Sequence, residues 1–170
     1  MESDQSVVAR QLGREPRGPW RVAARCSFGH PVVIVTAPLT EDGERFPTLF
    51  YLTCPHLVER IAALESAGGA QRWRERLAAG DGLRRRMAEA DRAYREARAA
   101  ESGGVDPAPD VGIAGQRDPC ATKCLHAHVA AALAGIADPV GETVVGELHA
   151  ECGDGRCGRD ERWGLSAGRR

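Results

Sequence analysis

Polar and apolar positions change their period along the chain, and the changes mark its elements. Residues 20–26 (WRVAARC) and 32–37 (VVIVTA) read as strands, the second being the most β-branched stretch present. SFGHP over 27–31 is a turn between them, and PLTEDGE over 38–44 is another, with Asp42-Gly43 at its tip. Residues 46–53 (FPTLFYLT) give a third strand. Pro47 must sit at its edge or start, because proline has no N–H for a ladder. The three strands make an antiparallel meander.

After residue 54 the apolar period lengthens to that of a helix. Leu57, Val58, Ile61 and Leu64 share one face over 55–66, with Pro55 in the first turn and Gly68-Gly69 beyond the end. Residues 70–79 form a shorter, weaker helix. Residues 81–101 form the longest, where Leu83, Met87, Ala90, Tyr94 and Ala97 make a narrow stripe among mixed charges. Near the start of the chain, residues 6–12 give one or two helical turns stopped by Gly13.

Residues 102–117 (SGGVDPAPDVGIAGQR) have no period. A structureless loop longer than ~12–15 residues is usually functional or disordered. Its first half is expected to be mobile and its second half, 111–115, ordered over the segment that follows. That segment, 118–136 (DPCATKCLHAHVAAALAGI), puts Leu125, Val129, Ala132, Leu133 and Ile136 on one helical face. Asp118-Pro119 reads as its N-cap and first helical residue, Asp138-Pro139 breaks it, and 140–149 gives a last short helix. The expected fold is α+β: a small N-terminal antiparallel meander of about three strands packed against four to five α-helices. It forms a single domain over 1–157, followed by a flexible tail over 158–170.

Composition narrows the function classes. The formal net charge is −1, so bulk electrostatics do not point to nucleic acid. The Arg84-Arg85-Arg86 run is interleaved with acidic neighbours and reads as a solvated helix face. The first residues carry no apolar h-region, and no window approaches the ~18 apolar residues of a membrane span, so a cytoplasmic protein is expected. In that compartment thiols stay reduced, and six cysteines are better read as ligands, nucleophiles or small core residues than as disulfides.

The soft-ligand chemistry is concentrated at 120–128, where Cys120, Cys124, His126 and His128 fall within nine residues. If a helix starts at Pro119, Cys120, Cys124 and His128 lie on one flank, but its outer members are ~12 Å apart along the axis, so all three cannot share an ion. If the helix starts near Ala127, Cys124 and His126 form a turn and converge. The residues leave both registers open. Further candidates are Cys26, Cys54 and the pair Cys152/Cys157, which encloses the Gly-rich turn CGDGRCG at a loose spacing for zinc. Cys54 also supports a second reading. A thiol at a helix N-terminus is biased towards thiolate and, with His56, His126 or His128 nearby, would be a nucleophile. The bland alternative is that the cysteines fill space.

The stretches LGREPRG, RCSFGHPVVI, FPTLFYLTCPHLVERIAALESAG, KCLHAHVAAALA and DPVGE together resemble an actinobacteria-rich family catalogued as domain of unknown function 501. The resemblance runs from about Val8 to Gly146, and FPTLFYLTCP and KCLH are its most specific pieces. It implies that Cys26, Cys54, Cys124 and His126 are motif positions and form one site, with Cys124 and His126 in the turn register. It gives Cys120 no clear counterpart. Family members often carry a second histidine after KCLH, in a pattern like CLHALVAH, where this chain has Ala131. Neighbouring genes in that family give a hint towards cell-envelope or phosphate physiology, and no reaction.

The expectation is therefore a metal site of Cys26, Cys54, Cys124 and His126, with Cys120, His128, Cys152 and Cys157 as weaker candidates. Zinc is favoured and an iron–sulfur cluster is the alternative. The role would be structural or regulatory. The rival classes are a thiol-dependent enzyme using Cys54 and an interaction module whose docking surface is the helix over 81–101.

Overall fold

Strand β2 (Pro31–Thr36) is buried at every position, which is why its sequence is an unbroken β-branched run rather than an alternating one. It is the middle strand of a three-stranded antiparallel sheet, between β1 (Trp20–Arg25) and β3 (Phe50–Leu52). The sheet belongs to a computed structural model that describes residues 2–148 and residue 152. Among those residues the element order is α1 (Asp4–Leu12), β1, β2, β3, α2 (Pro55–Ser66), α3 (Gly69–Ala79), α4 (Asp81–Glu101), a 3-10 turn (Ile113–Gly115), α5 (Leu125–Leu133) and α6 (Pro139–Leu148). The fold is α+β, with the meander near the N-terminus and six helices rather than four to five. Cys157, His149, Trp163, Leu165 and the 158–170 tail lie outside the described residues.

Register assigns the two faces of the sheet. Val33 pairs with Leu52, Val35 with Phe50, and Ile34 with Tyr51 between them. Side chains alternate, so Val33, Val35, Phe50 and Leu52 point one way and Ile34 and Tyr51 the other. The first set joins the main core with Leu57, Ile61, Leu125, Val129, Val140 and Val144. On the second face α1 packs against β2, burying Val7 and Val8.

β3 is shorter than its sequence pattern. Pro47 cannot donate, and the Leu49 N–H goes to the Tyr94 hydroxyl at 2.7 Å instead of to a strand. Only Phe50–Leu52 remain in the ladder. Tyr94 is on α4, whose inward side (Met87, Ala90, Asp91, Tyr94, Arg98) is buried, leaving Arg84, Arg85, Arg86, Glu89, Arg92 and Glu96 outside.

The long loop after α4 is tied down in both halves, so its first half is not free of the body as the sequence implied. Arg98 is fully buried and donates to both carboxylate oxygens of Asp106 (2.7 and 2.8 Å) and to the carbonyls of Pro47, Ala108 and Val111. Asp91, also buried, accepts the Ile113 N–H at 3.0 Å. Gly112 is required there, because a Cβ would fall 1.7 Å from an Asp91 oxygen.

α5 and α6 approach closely at a second glycine. A Cβ on Gly141 would lie 2.1 Å from the His128 carbonyl oxygen. The Asp138 carboxylate starts α6 by accepting the Val140 and Gly141 N–H groups, and its other oxygen accepts Nδ1–H of His128 at 2.6 Å, with both residues fully buried.

Candidate metal centre

The helix carrying the Cys/His cluster begins at Leu125, six residues after Pro119. Asp118 is a cap, but of a turn: its carboxylate accepts the Cys120 N–H at 2.9 Å and its carbonyl the Ala121 N–H. The Gln116 side chain then spans the loop, donating to the Pro119 carbonyl and accepting the Lys123 N–H. Thr122 follows with a φ of 39°, a left-handed conformation that a β-branched residue adopts only under constraint. It is fully buried. Backbone strain of this kind costs of order 1–3 kcal/mol and concentrates near functional sites. Cys124, extended at φ −147°, occupies the N-cap of α5 without using its thiol as a cap.

That vacancy is filled from another helix. Glu65, next to the end of α2, accepts the Leu125 N–H through Oε1 at 2.6 Å. Its other oxygen, Oε2, lies 3.3 Å from Nδ1 of His126. The Cys124 Sγ lies 3.8 Å from the same nitrogen. A carboxylate oxygen, a thiol sulfur and an imidazole nitrogen, from two helices 60 residues apart in sequence, thus lie within 4.8 Å of one another. Among the described residues this is the group with metal-ligand composition.

The opposite nitrogen fixes the tautomer. His126 Nε2 is 3.1 Å from the Val58 carbonyl, which can only accept, so Nε2 carries the proton. Nδ1 is left to face the thiol and the carboxylate. Its hydrogen bond with Cys124 raises the His126 pKa from 6.5 to about 9; burial opposes this, and the Val58 carbonyl and the Glu65 charge add to it. An anionic neighbourhood that holds an extra proton at Nδ1 is one in which a cation can replace that proton.

The expected residues are distributed as follows. Cys124 and His126 are together, but the helix starts between the two expected registers, with Cys124 at its N-cap and His126 inside its first turn. Cys26 ends in the turn after β1, where its N–H donates to the His30 carbonyl. Cys54 is the N-cap residue of α2 and is buried. Glu65 lies eleven residues further along the same helix, ~16 Å away along the axis at 1.5 Å per residue. Neither Cys26 nor Cys54 belongs to the close-set group. Cys120 is half-buried, its thiol pKa pushed up by burial and by Asp118. His128 is engaged with Asp138, and its Nε2 is buried without a hydrogen-bond partner among the described residues. Cys152 is half-buried, and Cys157 lies outside the described residues. No disulfide joins the five described cysteines. Sequence reading missed Glu65, whose one signal was its place on the helix that follows the LTCP motif.

No helix among the described residues is long and apolar enough to cross a membrane. In comparisons with known proteins, the family described as "Protein of unknown function (DUF501)" matches residues 22–146. No curated protein and no solved structure matches the chain.

Proposed function

The chain belongs to the DUF501 family, and we propose that it is a metal-binding protein whose Glu65, Cys124 and His126 hold one zinc-class divalent cation. The observation that carries this is the convergence of a carboxylate and a thiol on a single imidazole nitrogen, at spacings an ion would set. Tetrahedral zinc, with Zn–S about 2.3 Å and Zn–N and Zn–O about 2.0 Å, puts S···N at about 3.6 Å and O···N at about 3.3 Å. The distances here are 3.8 and 3.3 Å. The outer contacts have the form that supports metal ligands. Val58 orients the imidazole from behind, and the Leu125 N–H holds the carboxylate oxygen that faces away from Nδ1.

One thiolate among three donors favours zinc over an iron–sulfur cluster, which needs several thiolates. The ion would join the end of α2 to the start of α5 and stabilise the strained loop before Cys124. That is a structural role, with the fourth position available to water.

A second reading has one observation in its favour. The Cys124 thiol at the N-terminus of α5, beside a readily protonated imidazole, is the arrangement of an activated nucleophile. It displaces Cys54 as the thiol to consider, because Cys54 is only 4% exposed. Against it, Glu65 and Cys124 face the same nitrogen of His126, whereas in a nucleophile–base–acid relay they would face opposite ones.

Elemental analysis of untagged protein, with Cys124→Ser beside it, separates the two. About one zinc per wild-type chain, lost in the variant, supports the metal. Metal-free wild-type protein that does not take up zinc or cobalt(II), and has one rapidly alkylated thiol at Cys124, overturns it in favour of the thiol reading.

A further inference from the structure

On the face of the sheet away from α5 lies a cleft of about 650 Å³. That is within the range of about 300–1,000 Å³ typical of small-molecule sites. Its floor is the second sheet face defined above: Ile34 and Thr36 of β2 and Tyr51 of β3. α1 covers only part of this face, and the rest is walled by the two loops that flank the strands.

One wall, the loop between β2 and β3, is rigid. Leu39 and Arg45 form an antiparallel bridge, Thr40 N–H donates to the Glu44 carbonyl, and Phe46 N–H donates to the Pro38 carbonyl at 2.8 Å. The other wall, between α1 and β1, carries Arg14 and Arg17. The cleft therefore exists before any ligand arrives.

Its lining combines two chemistries. Leu39 and Phe46, 41% and 39% exposed, are two of the four large apolar side chains that the described residues leave in solvent, and both line it. Three guanidinium groups, Arg14, Arg17 and Arg45, line it as well. Although Glu41, Asp42 and Glu44 are in the same cleft, none of the three arginines is in an ion pair with a described residue. Arg14 donates only to the Glu15 carbonyl and Arg45 only to that of Pro107, at 3.3 and 3.4 Å. The Thr36 hydroxyl is already donated to the Thr48 carbonyl. The Tyr51 hydroxyl has no hydrogen-bond partner among the described residues and is the neutral donor on the floor.

We infer that this cleft binds a small organic oxyanion, its apolar body lying on Leu39, Phe46 and Tyr51 and its phosphate or carboxylate held by Arg14, Arg17 and Arg45. Guanidinium forks match both oxyanions with paired hydrogen bonds, and apolar contact with the floor supplies what a bare ion lacks. The site is distinct from the Glu65–Cys124–His126 group.

The test is titration of the intact chain with 1-naphthyl phosphate, 1-naphthoate, 1-naphthol and inorganic phosphate, read by calorimetry and by NMR shifts of the Ile34 methyl groups. At least one of the two naphthyl anions is expected to bind saturably, at least tenfold more tightly than both naphthol and inorganic phosphate. The double variant Arg17→Ala/Arg45→Ala should weaken that anion at least tenfold and leave naphthol unchanged, since both arginines are exposed and outside the core. Phosphate stronger than carboxylate, or the reverse, identifies the head group, and either supports the inference. Three results overturn it: anions no tighter than naphthol, inorganic phosphate as tight as naphthyl phosphate (an adventitious ion only), or anion affinity unchanged in the double variant.

Discussion

His126 shows how much one imidazole's neighbours decide. Its Nε2 is committed to a carbonyl, so every change at the site is a change at Nδ1. In metal-free protein the folded pKa, about 9, is above the ordinary 6.5. A raised pKa means that folding favours the protonated form. The resulting stabilisation is fully present below pH 6.5 and is lost as pH rises towards 9. Metal-free wild type should therefore exceed metal-free His126→Gln in Tm at pH 6, with most of the gap closed by pH 10. A gap that stays constant across that range would mean that the proton on Nδ1 contributes nothing. Cys124 and His126 were legible as soft donors two residues apart at the start of a helix, and the KCLH motif of the family singled them out, although the exact start of the helix was not legible. Glu65 was not legible. A glutamate on a helix is ordinarily solvated, and nothing local announces that its helix will end against the start of α5. The separation of 60 residues is closed only by the packing of the core.

At the scale of elements, close approach and buried charge decide the outcome. α5 and α6 touch at Gly141, where a methyl group has no room. Gly141→Ala should destabilise by at least ~1–3 kcal/mol through overpacking. Gly146, on the exposed side of the same helix, has nothing within 4 Å of an added Cβ. Gly146→Ala should stabilise by about 0.5–1 kcal/mol through helix propensity. Denaturant unfolding of the two variants checks the opposite signs, and equal effects would remove the packing argument. Arg98 makes the second case. It gathers four separate carbonyl and carboxylate groups from two loops, and Arg98→Met removes that shared donor, leaving the Asp106 carboxylate only the Ala108 N–H. A loss of about 3 kcal/mol or more is expected. The Arg98 guanidinium also holds the Asp106 carboxyl below its usual 3.8. That part of the stability is present above pH 3.8 and fades as pH falls through the lower folded value, so Asp106→Asn should flatten the acid limb of the wild-type stability curve. These contacts explain why the 102–117 segment looked irregular yet is held. Its order comes from Asp91 and Arg98, which the pattern of α4 presented as surface charges. The same applies to the start of α5. Asp118-Pro119 is a sound helix signal locally, but Gln116 and the left-handed Thr122 hold the intervening residues in a loop.

At the scale of the molecule, the candidate metal centre and the cleft on the second face of the sheet depend on different parts of the chain. The β-branched run of β2 and the period change after residue 54 were enough to read the α+β architecture. Which side of the sheet would be sealed by helices and which left open to a cleft depended on register and could not be read. The candidate metal centre lies between α2 and α5, and both helices contribute to the main core, so its occupation should be felt by the whole cooperative unit. A cation that binds only the folded chain adds about 2.7 kcal/mol when its free concentration is a hundred times Kd. For a domain of this size that corresponds to a rise in Tm of roughly 5–10 °C. Calorimetry with and without a chelator should show that difference in wild type and none in Cys124→Ser. The variant should melt at the temperature of the chelated wild type to within the small cost of replacing one half-buried thiol. A chelator effect of equal size in both proteins would place the cation elsewhere. No effect in either, with zinc added and free, would leave Glu65, Cys124 and His126 as a hydrogen-bonded junction between two helices, with no ion to hold.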